Sequence, residues 1–581
     1  MHFPSFRAAT LLCLGGYLAG CTVFLLKSDT QCQTDRDCAA RFPGASTTCS
    51  AGLCVTTTVA GGSGLEAGAG CVHNSDCNGA TATSQQLLCV HGACTPANTA
   101  NCQVLNPSLL SATGTQPLVI GLLVPSGAPS NGVFVNPTTP ISSTVGLAAV
   151  TFNAAAQQIG ATADVRQELL VQCDETDPTS LTHLLTDLDV NGIVGPFDDT
   201  RALAAANTAS TAGDNQRGIP VFSPFANADS VGGTALWSAA PNRSLLEPVF
   251  ATLLTAAKAH FLEVDSGYTY RPVTLTGDQN DIGGGQLFSA LQRNGALPGS
   301  PAATLLDILY TSSTGVTQYQ QSAEDIESAV ATQPTTVTLE SGMLDSFDVL
   351  YDVENSDEDA THLPFYLTFQ FSSPFLTNVA TDNPSANPPR PYARSLAIEF
   401  ARPATSVAIQ QALAQQATAS FQWGAEYAYD AFFALSYALY SARNSGKNDP
   451  SAVTLTQFGL GMQAVTQGTT AACTSNGNNG SACPVDGAAE DILRELSVGG
   501  SVQLTGASGA LDYRDPTGKL SIMNTPNAKA ALYCVTSAGS GAYQYTDSGF
   551  HASASATPDA SIAVTTEGTL CCPGVEKAAC P

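Results

Sequence analysis

From Leu118 onward the chain alternates two kinds of apolar pattern. "LVIGLLVP" is an unbroken apolar run, the pattern of a strand covered on both faces, and "STVGLAAVTFNAAAQQIG" has apolar residues at helical spacing. "ELLVQCDETDP" predicts a second strand with an acidic exit, "SLTHLLTDLD" a helix, "NGIVGPF" a strand, "RALAAANTASTAG" a helix and "GIPVFSPFAN" a strand. Strands alternating with helices predict a parallel sheet with helices on both faces. Ligands in such sheets sit beyond the C-terminal ends of the strands.

A second series begins near Arg271. "RPVTLTGDQNDIGGGQLFSALQRNG" reads as strand, turn and helix; "LLDILYT" and "SFDVLYDV" read as strands with "AEDIESAV" as a helix between them, and "PFYLTFQF" follows as another strand. Two successive series predict two α/β lobes. "TDNPSANPPRPYAR" is a proline-rich loop, and "GAEYAYDAFFALSYALYSAR" is a long helix whose aromatics, Tyr427, Tyr429, Phe432, Phe433, Tyr437 and Tyr440, read as a packing face.

The N-terminal part is patterned by cysteine. Residues 32–54 read C-x5-C-x10-C-x4-C and residues 71–94 read C-x5-C-x11-C-x4-C, an internal repeat with a Gly-rich linker, 55–70, between the copies and a polar linker, 95–115, after them. Each copy is too small for a stable core and is held by disulfides of open connectivity among Cys32, Cys38, Cys49 and Cys54, or among Cys71, Cys77, Cys89 and Cys94. Zinc is the rival, disfavoured because the two-residue spacing of ribbon and finger sites is absent and the only histidines, His73 and His91, fall in the second copy. Cys473 and Cys483 are further disulfide candidates, and adjacent Cys571 and Cys572 are expected to bond elsewhere rather than to each other.

Ahead of the repeats, Arg7 precedes the apolar run "AATLLCLGGYLAG", which ends in "LAGC". This is the form of an export signal, and "LAGC" resembles a bacterial lipobox cleaved before Cys21, which would carry the lipid. An uncleaved anchor is the rival, since apolar residues continue through Leu26. Without Cys13 and Cys21, 16 of the 18 cysteines remain, an even number suited to an oxidising compartment. The expected organisation is signal peptide 1–20, lipidated tether 21–31, the two repeats and their linkers, a two-lobed domain 116–545 (lobe 1 mainly 116–245, lobe 2 mainly 246–375), and a Cys-containing tail 546–581.

Charge narrows the function. With 21 basic against 48 acidic residues the chain carries a net charge of −27, which repels nucleic acid and anionic lipid. The sequence has no His-Glu-x-x-His, no Gly-x4-Gly-Lys-Ser/Thr and no Gly-x-Ser-x-Gly, and its 7 histidines are scattered, so no catalytic residue, cofactor or metal is assigned. The acidic run "DSFDVLYDVENSDEDATH" lacks the spacing and central glycine of a calcium loop and reads as a solvated turn.

The segments together resemble the type I periplasmic binding proteins, in particular the branched-chain amino-acid and receptor-type branch. "VIGLLVPSG", "CDETDP", "VNGIVGP" followed by "GIPVFSP", "GDQNDIGGG", "AEYAYDAFFALSYAL" and "LTGASGALDYRDPTG" occur in the family's order between about Leu118 and Ser521. The resemblance implies two parallel-sheet α/β lobes joined by three crossing segments, a small polar ligand held in the cleft, and an ABC permease or a sensor as partner. It places candidate ligand contacts at Ser126, Gly127 and Ser130, at Phe197, Asp198, Asp199 and Thr200, at Ser223, Phe225, Ala226 and Asn227, and at Asp278 and Asp281. Asp198 and Asp199 stand where relatives commonly offer serine to a ligand carboxylate, and they equally suit the start of a helix. The expected function is a lipid-anchored, extracytoplasmic solute-binding protein of the cell envelope. The alternative is a surface scaffold whose Cys-rich repeats bind a partner.

Overall fold

A computed structural model describes residues 47–50, 53–56, 70–78, 86–111, 116–125, 138–163, 166–197, 199–226, 235–264, 272–276, 306–309, 336–339, 365–369, 394–400, 425–444, 452–466, 483–485 and, with short interruptions, 488–572. The chain divides into two units, residues 1–55 and 56–581. In the first, the described part is one strand of a two-stranded sheet, β1 (Thr47–Ser50), whose partner β2 (Leu53–Thr56) runs to the boundary. Everything below concerns the second unit.

The first sheet is built on β6 (Leu118–Val124), every residue of which is buried. Its neighbours are β7 (Glu168–Asp174) on one side and β8 (Gly192–Val194), β9 (Val221–Ser223) and β10 (Leu236–Ser238) on the other, all parallel, in the order β10-β9-β8-β6-β7. One face is covered by α2 (Thr138–Ala163), α6 (Ala425–Asn444), α7 (Leu455–Thr466) and α8 (Ala489–Ser497). The other face carries α3 (Pro178–Thr182) with the π-helical turn 183–187, and α4 (Asp199–Ala209). Full burial of the strands on both faces is the physical reason for their unbroken apolar runs.

The expected helix with aromatic residues, α6, is buried all round, and Phe152 of α2 packs against Phe432, Tyr437 and Tyr440 with ring centroids 5.8–6.2 Å apart. Alanines at 428, 431, 434 and 438 let its neighbours approach. Gly461 of α7 does the same from the other side, because a Cβ there would lie 2.1 Å from the Ala438 carbonyl oxygen.

The second sheet has the order β12-β11-β13-β14-β15-β18-β19-β20. β11 (Pro272–Thr276), β12 (Leu306–Leu309), β13 (Thr336–Leu339), β14 (Phe365–Phe369) and β15 (Ser395–Phe400) are parallel; β18 (Ala528–Gly539), β19 (Ala542–Ala556) and β20 (Ile562–Glu567) extend the sheet antiparallel. Between β15 and β18 the chain forms a separate parallel pair, β16 (Cys483–Pro484) and β17 (Leu504–Thr505). α5 (Arg243–Val264) packs across β18, β19 and β20. By length and composition its Ser244–Glu263 stretch could cross a membrane, yet Phe250, Leu253 and Phe261 are buried against this sheet. The two parallel parts share one topology: counted from each sheet's first parallel strand, the order is 2-1-3-4-5. The chain passes from the first sheet to the second after β10, returns with α6, and passes again to β18, giving three crossings.

Several expectations change. β13 and β15 were not anticipated, and the strand expected at "SFDVLYDV" lies outside the described residues. The stretch 95–115, expected as a linker, contributes the end of β4 (Ala93–Pro96), then β5 (Cys102–Val104), which pairs antiparallel with β7, and a 3-10 turn, 107–111. A Cys102–Cys173 disulfide joins β5 to β7, a pairing the repeat pattern could not show because Cys173 belongs to a core strand. The second Cys-rich copy does form internal disulfides, Cys71–Cys89 and Cys77–Cys94. It contains α1 (Asn74–Cys77) and the hairpin β3 (Leu87–Val90) and β4 (Ala93–Pro96), and Leu88 and Ala97 belong to the same core as Val119 and Leu169. The expected tail 546–581 supplies most of β19 and all of β20, and Cys572 bonds to Cys534 rather than to Cys571. Cys21, Cys32, Cys38 and Cys473, with the side chains of Cys49, Cys54 and Cys483, lie outside the described residues.

Two side chains at the start of β7 carry a testable consequence. Asn153 of α2 bonds both backbone groups of Glu168, whose own carboxylate is fully buried and accepts a hydrogen bond from Ser436 of α6 at 2.6 Å. Burial pushes the Glu168 carboxyl up to about 8, opposed by the Ser436 bond. The folded chain therefore keeps a proton that the unfolded chain releases at the ordinary carboxylate value of 4.5. This stabilisation is complete below that value and is lost as pH rises through about 8. Glu168→Gln, which cannot ionise, should melt near wild type at about pH 5 and above it at about pH 8.5 in parallel thermal scans.

Candidate functional site

The C-terminal ends of β7, β8 and β9 form one edge of the first sheet, and the sequence-predicted residues that the structure describes gather there. Phe197 follows β8; Ser223 ends β9, with Phe225 and Ala226 just beyond; Asp199 and Thr200 open α4. Asp199 is thus the acidic residue in the helix's first turn, where a carboxylate is favoured by the helix dipole. Thr200 is exposed, whereas Phe197, Ser223, Phe225 and Ala226 are buried. Ser126, Gly127, Ser130, Asp198, Asn227, Asp278 and Asp281 lie outside the described residues.

Several polar groups of this edge are occupied from within. The Ser223 hydroxyl donates to the Pro196 carbonyl oxygen at 2.6 Å and accepts the Ala226 N–H at 3.0 Å. The Phe197 N–H donates to Glu175 Oε2 at 2.9 Å, and Arg201 of α4 donates to Glu175 Oε1 at 2.8 Å. Sequence reading missed Glu175, which stood only as part of an acidic strand exit. Beside these groups, the rings of Phe197 and Phe225 lie 5.6 Å apart, and Phe225 lies 5.2 Å from Tyr427 at the start of α6.

Tyr427 also lines a cavity of about 500 Å3 at the crossings. Ala239 and Pro241 line it from the first crossing, Ser508, Asp512 and Asn527 from the third, and Lys529, His551 and Thr565 from β18, β19 and β20. This is within the size range of small-ligand sites, with apolar walls and a few polar groups. Among the described residues, none of the sequence-predicted contacts lines it. The signal that could have found it is the late segment "LTGASGALDY", which supplies Ser508 and Asp512.

The third crossing is held by Asp430 of α6. Its buried carboxylate accepts the N–H groups of Ala507 and Ser508, each at 2.7 Å, and the Ser508 hydroxyl. Burial pushes this carboxyl up to about 7, with the three donors opposing the rise. Gly506 makes the approach feasible, since a Cβ there would fall 2.2 Å from the Asp430 carboxylate. Next to it, the Tyr513 hydroxyl donates to the Ser238 carbonyl oxygen at 2.8 Å, tying the third crossing to the first.

At the opposite, N-terminal ends of the same strands, a larger cavity of about 1070 Å3 lies between the second Cys-rich copy and the sheet. There His91, on the turn between β3 and β4, meets Asp214 at 3.2 Å and Asp189 at 3.6 Å, while Arg217 holds Asp189 at 3.0 Å. The histidine and carboxylate donor atoms lie within 4.8 Å of one another. With a guanidinium already on Asp189, the arrangement is a mixed ion-pair cluster that latches the Cys-rich copy to lobe 1.

No protein-family model matches the chain, and no curated protein matches it. Among solved structures it is similar to a leucine-binding protein from Thermotoga maritima, with 11% identity over 74% of this chain and 97% of that one and a TM-score of 0.41. It is also similar to an ABC-transporter solute-binding protein from R. palustris in complex with benzoate (13% identity, 74% and 96% covered, TM-score 0.41). A third is an ABC-transporter substrate-binding protein from Desulfitobacterium hafniense in complex with leucine (12%, 74% and 100%, 0.41). The two parallel-sheet lobes and their three crossings are those expected from the sequence resemblance. The fold is α/β, two lobes that each carry a parallel sheet of order 2-1-3-4-5.

Asp430→Ala should cost roughly 3 kcal/mol or more, because it strips three donors of their acceptor in a buried site. Urea unfolding would read the loss, and amide exchange should show it concentrated at residues 504–510.

Proposed function

We propose that the chain is a tethered, extracytoplasmic solute-binding protein that takes a small polar ligand between its two lobes and delivers it to an ABC permease or a sensor. The observation that carries this reading is the pair of 2-1-3-4-5 sheets joined by three crossings, with a cavity of about 500 Å3 lined from both sides. Crossings of this kind let two lobes open and close around a ligand, and closure strengthens its polar contacts by excluding water. The polar lining (Asp512, Asn527, Lys529, His551 and Thr565) matches a ligand that carries hydrogen-bonding groups.

Export and tethering are proposed from the leader and "LAGC", with Cys21 as the lipidated residue. The disulfides Cys71–Cys89, Cys77–Cys94, Cys102–Cys173 and Cys534–Cys572 agree with an oxidising compartment. The periplasmic face or the surface of the outer membrane is the proposed location. Binding and release need no catalytic group, and none is assigned.

The scaffold reading is favoured by one observation, the internally occupied donors at the lobe 1 edge. It has to be tested on the first Cys-rich copy alone, since Leu88 of the second is part of the lobe 1 core. Mass spectrometry of molecules released from natively purified protein should give one compound at near-stoichiometric amount, and adding that compound back should raise the melting temperature. If no compound is released, and deleting residues 32–54 abolishes capture of a surface partner, the scaffold reading stands instead.

A further inference from the structure

We infer that Glu175 is a specificity-determining residue: an internal carboxylate that fills the anion position at the lobe 1 edge and bars ligand carboxylates from it. The inference rests on the solute-binding reading. Glu175 lies just past the end of β7, and although carboxylates normally stay in water its side chain is only 2% exposed. Both its oxygens are used. Oε2 takes the Phe197 N–H at the exit of β8, and Oε1 takes Arg201, which reaches in from α4 with its own side chain 46% exposed. A strand-exit amide and a guanidinium converging on one carboxylate make a site for a small anion, already filled by the chain.

The neighbouring donors reinforce the point. The Ser223 hydroxyl and the Ala226 N–H are bonded to each other and the hydroxyl to Pro196, so neither is turned toward a ligand. Beside these donors stand the rings of Phe197, Phe225 and Tyr427. A ligand carboxylate arriving here would have to displace Glu175 or lie against its charge, and either route costs binding energy. The ligand class is therefore polar molecules that present no carboxylate to lobe 1, with hydrogen-bonding groups directed to the crossings.

The test is chemical complementation on the full chain. Glu175→Ala removes Cγ and the carboxylate, which are together the size of an acetate ion, and leaves the Phe197 N–H and Arg201 facing the gap. Acetate at about 100 mM should raise the melting temperature of Glu175→Ala by about 2 °C. Acetamide, of the same shape without charge, should leave it unchanged. Wild type and Glu175→Gln, whose sites are filled, should respond to neither. Equal responses to acetate in wild type and Glu175→Ala, or to acetate and acetamide in the variant, overturn the proposal. If Glu175→Ala folds poorly, its refolding yield in acetate against acetamide is the same comparison, and a yield that acetate does not raise overturns it.

The compound released from wild type supplies an independent check. A stoichiometric carboxylate there sinks the specificity assignment. No compound at all, combined with acetate rescue of the variant, leaves the internal carboxylate standing while the solute-binding reading falls.

Discussion

The second unit depends on one constraint: a parallel sheet has two apolar faces, and the first pass of this chain leaves one of them only partly covered. The helices that connect β6 to β10 cover one face of the first sheet and only part of the other. The missing cover is α6, α7 and α8, which come nearly two hundred residues later in the chain. The parallel part of the second sheet is built in the interval and its antiparallel strands follow, so the chain crosses three times as it finishes the first core. That is why α6 is buried on every side, and why its alanines and Gly461 of α7 are as necessary as its rings.

The polar groups inside this core are placed where crossings must be held. Asp430 sits in a fully buried helix and closes on Ala507 and Ser508, so one carboxylate fixes the third crossing to the helix made by the second. Tyr513 then reaches Ser238, where the first crossing begins. Buried polar groups paired in this way confer geometry more than stability, because their desolvation offsets much of what their bonds return. Glu168 shows the same balance, protected by Ser436 yet held well above the ordinary carboxylate range by burial. The cavity at the crossings is framed by these interactions, and ligand binding there would be coupled to lobe motion through them.

The chain's N-terminal elaboration changes meaning once the sheet is seen. Two similar cysteine patterns read as two similar modules, yet the second copy is welded to lobe 1 through Leu88, β5, the Cys102–Cys173 disulfide and the latch of His91 on Asp189 and Asp214. Only the first falls in a unit of its own. The second copy thus extends the lobe and encloses a cavity with it.

Local patterning determined the strands that are buried on both faces, the helices between them, the cysteine repeat and the placement of Asp199 at a helix start. Each of these depends on neighbours a few residues away, which is the range over which periodicity and capping act. The antiparallel strands β19 and β20 were not legible, because they mix small and polar residues without a strong apolar run; β18 has such a run, Ala530–Val535, which sequence reading missed. Nor was Glu175. As the second acidic residue of "CDETDP" it is indistinguishable from a solvated turn, and only the approach of the Phe197 amide and Arg201 from other loops makes it a buried, bonded carboxylate. Sequence sets what each segment can be; long-range packing decides which polar groups are left for a ligand, because donors and acceptors far apart in the chain are satisfied only when the fold brings them together.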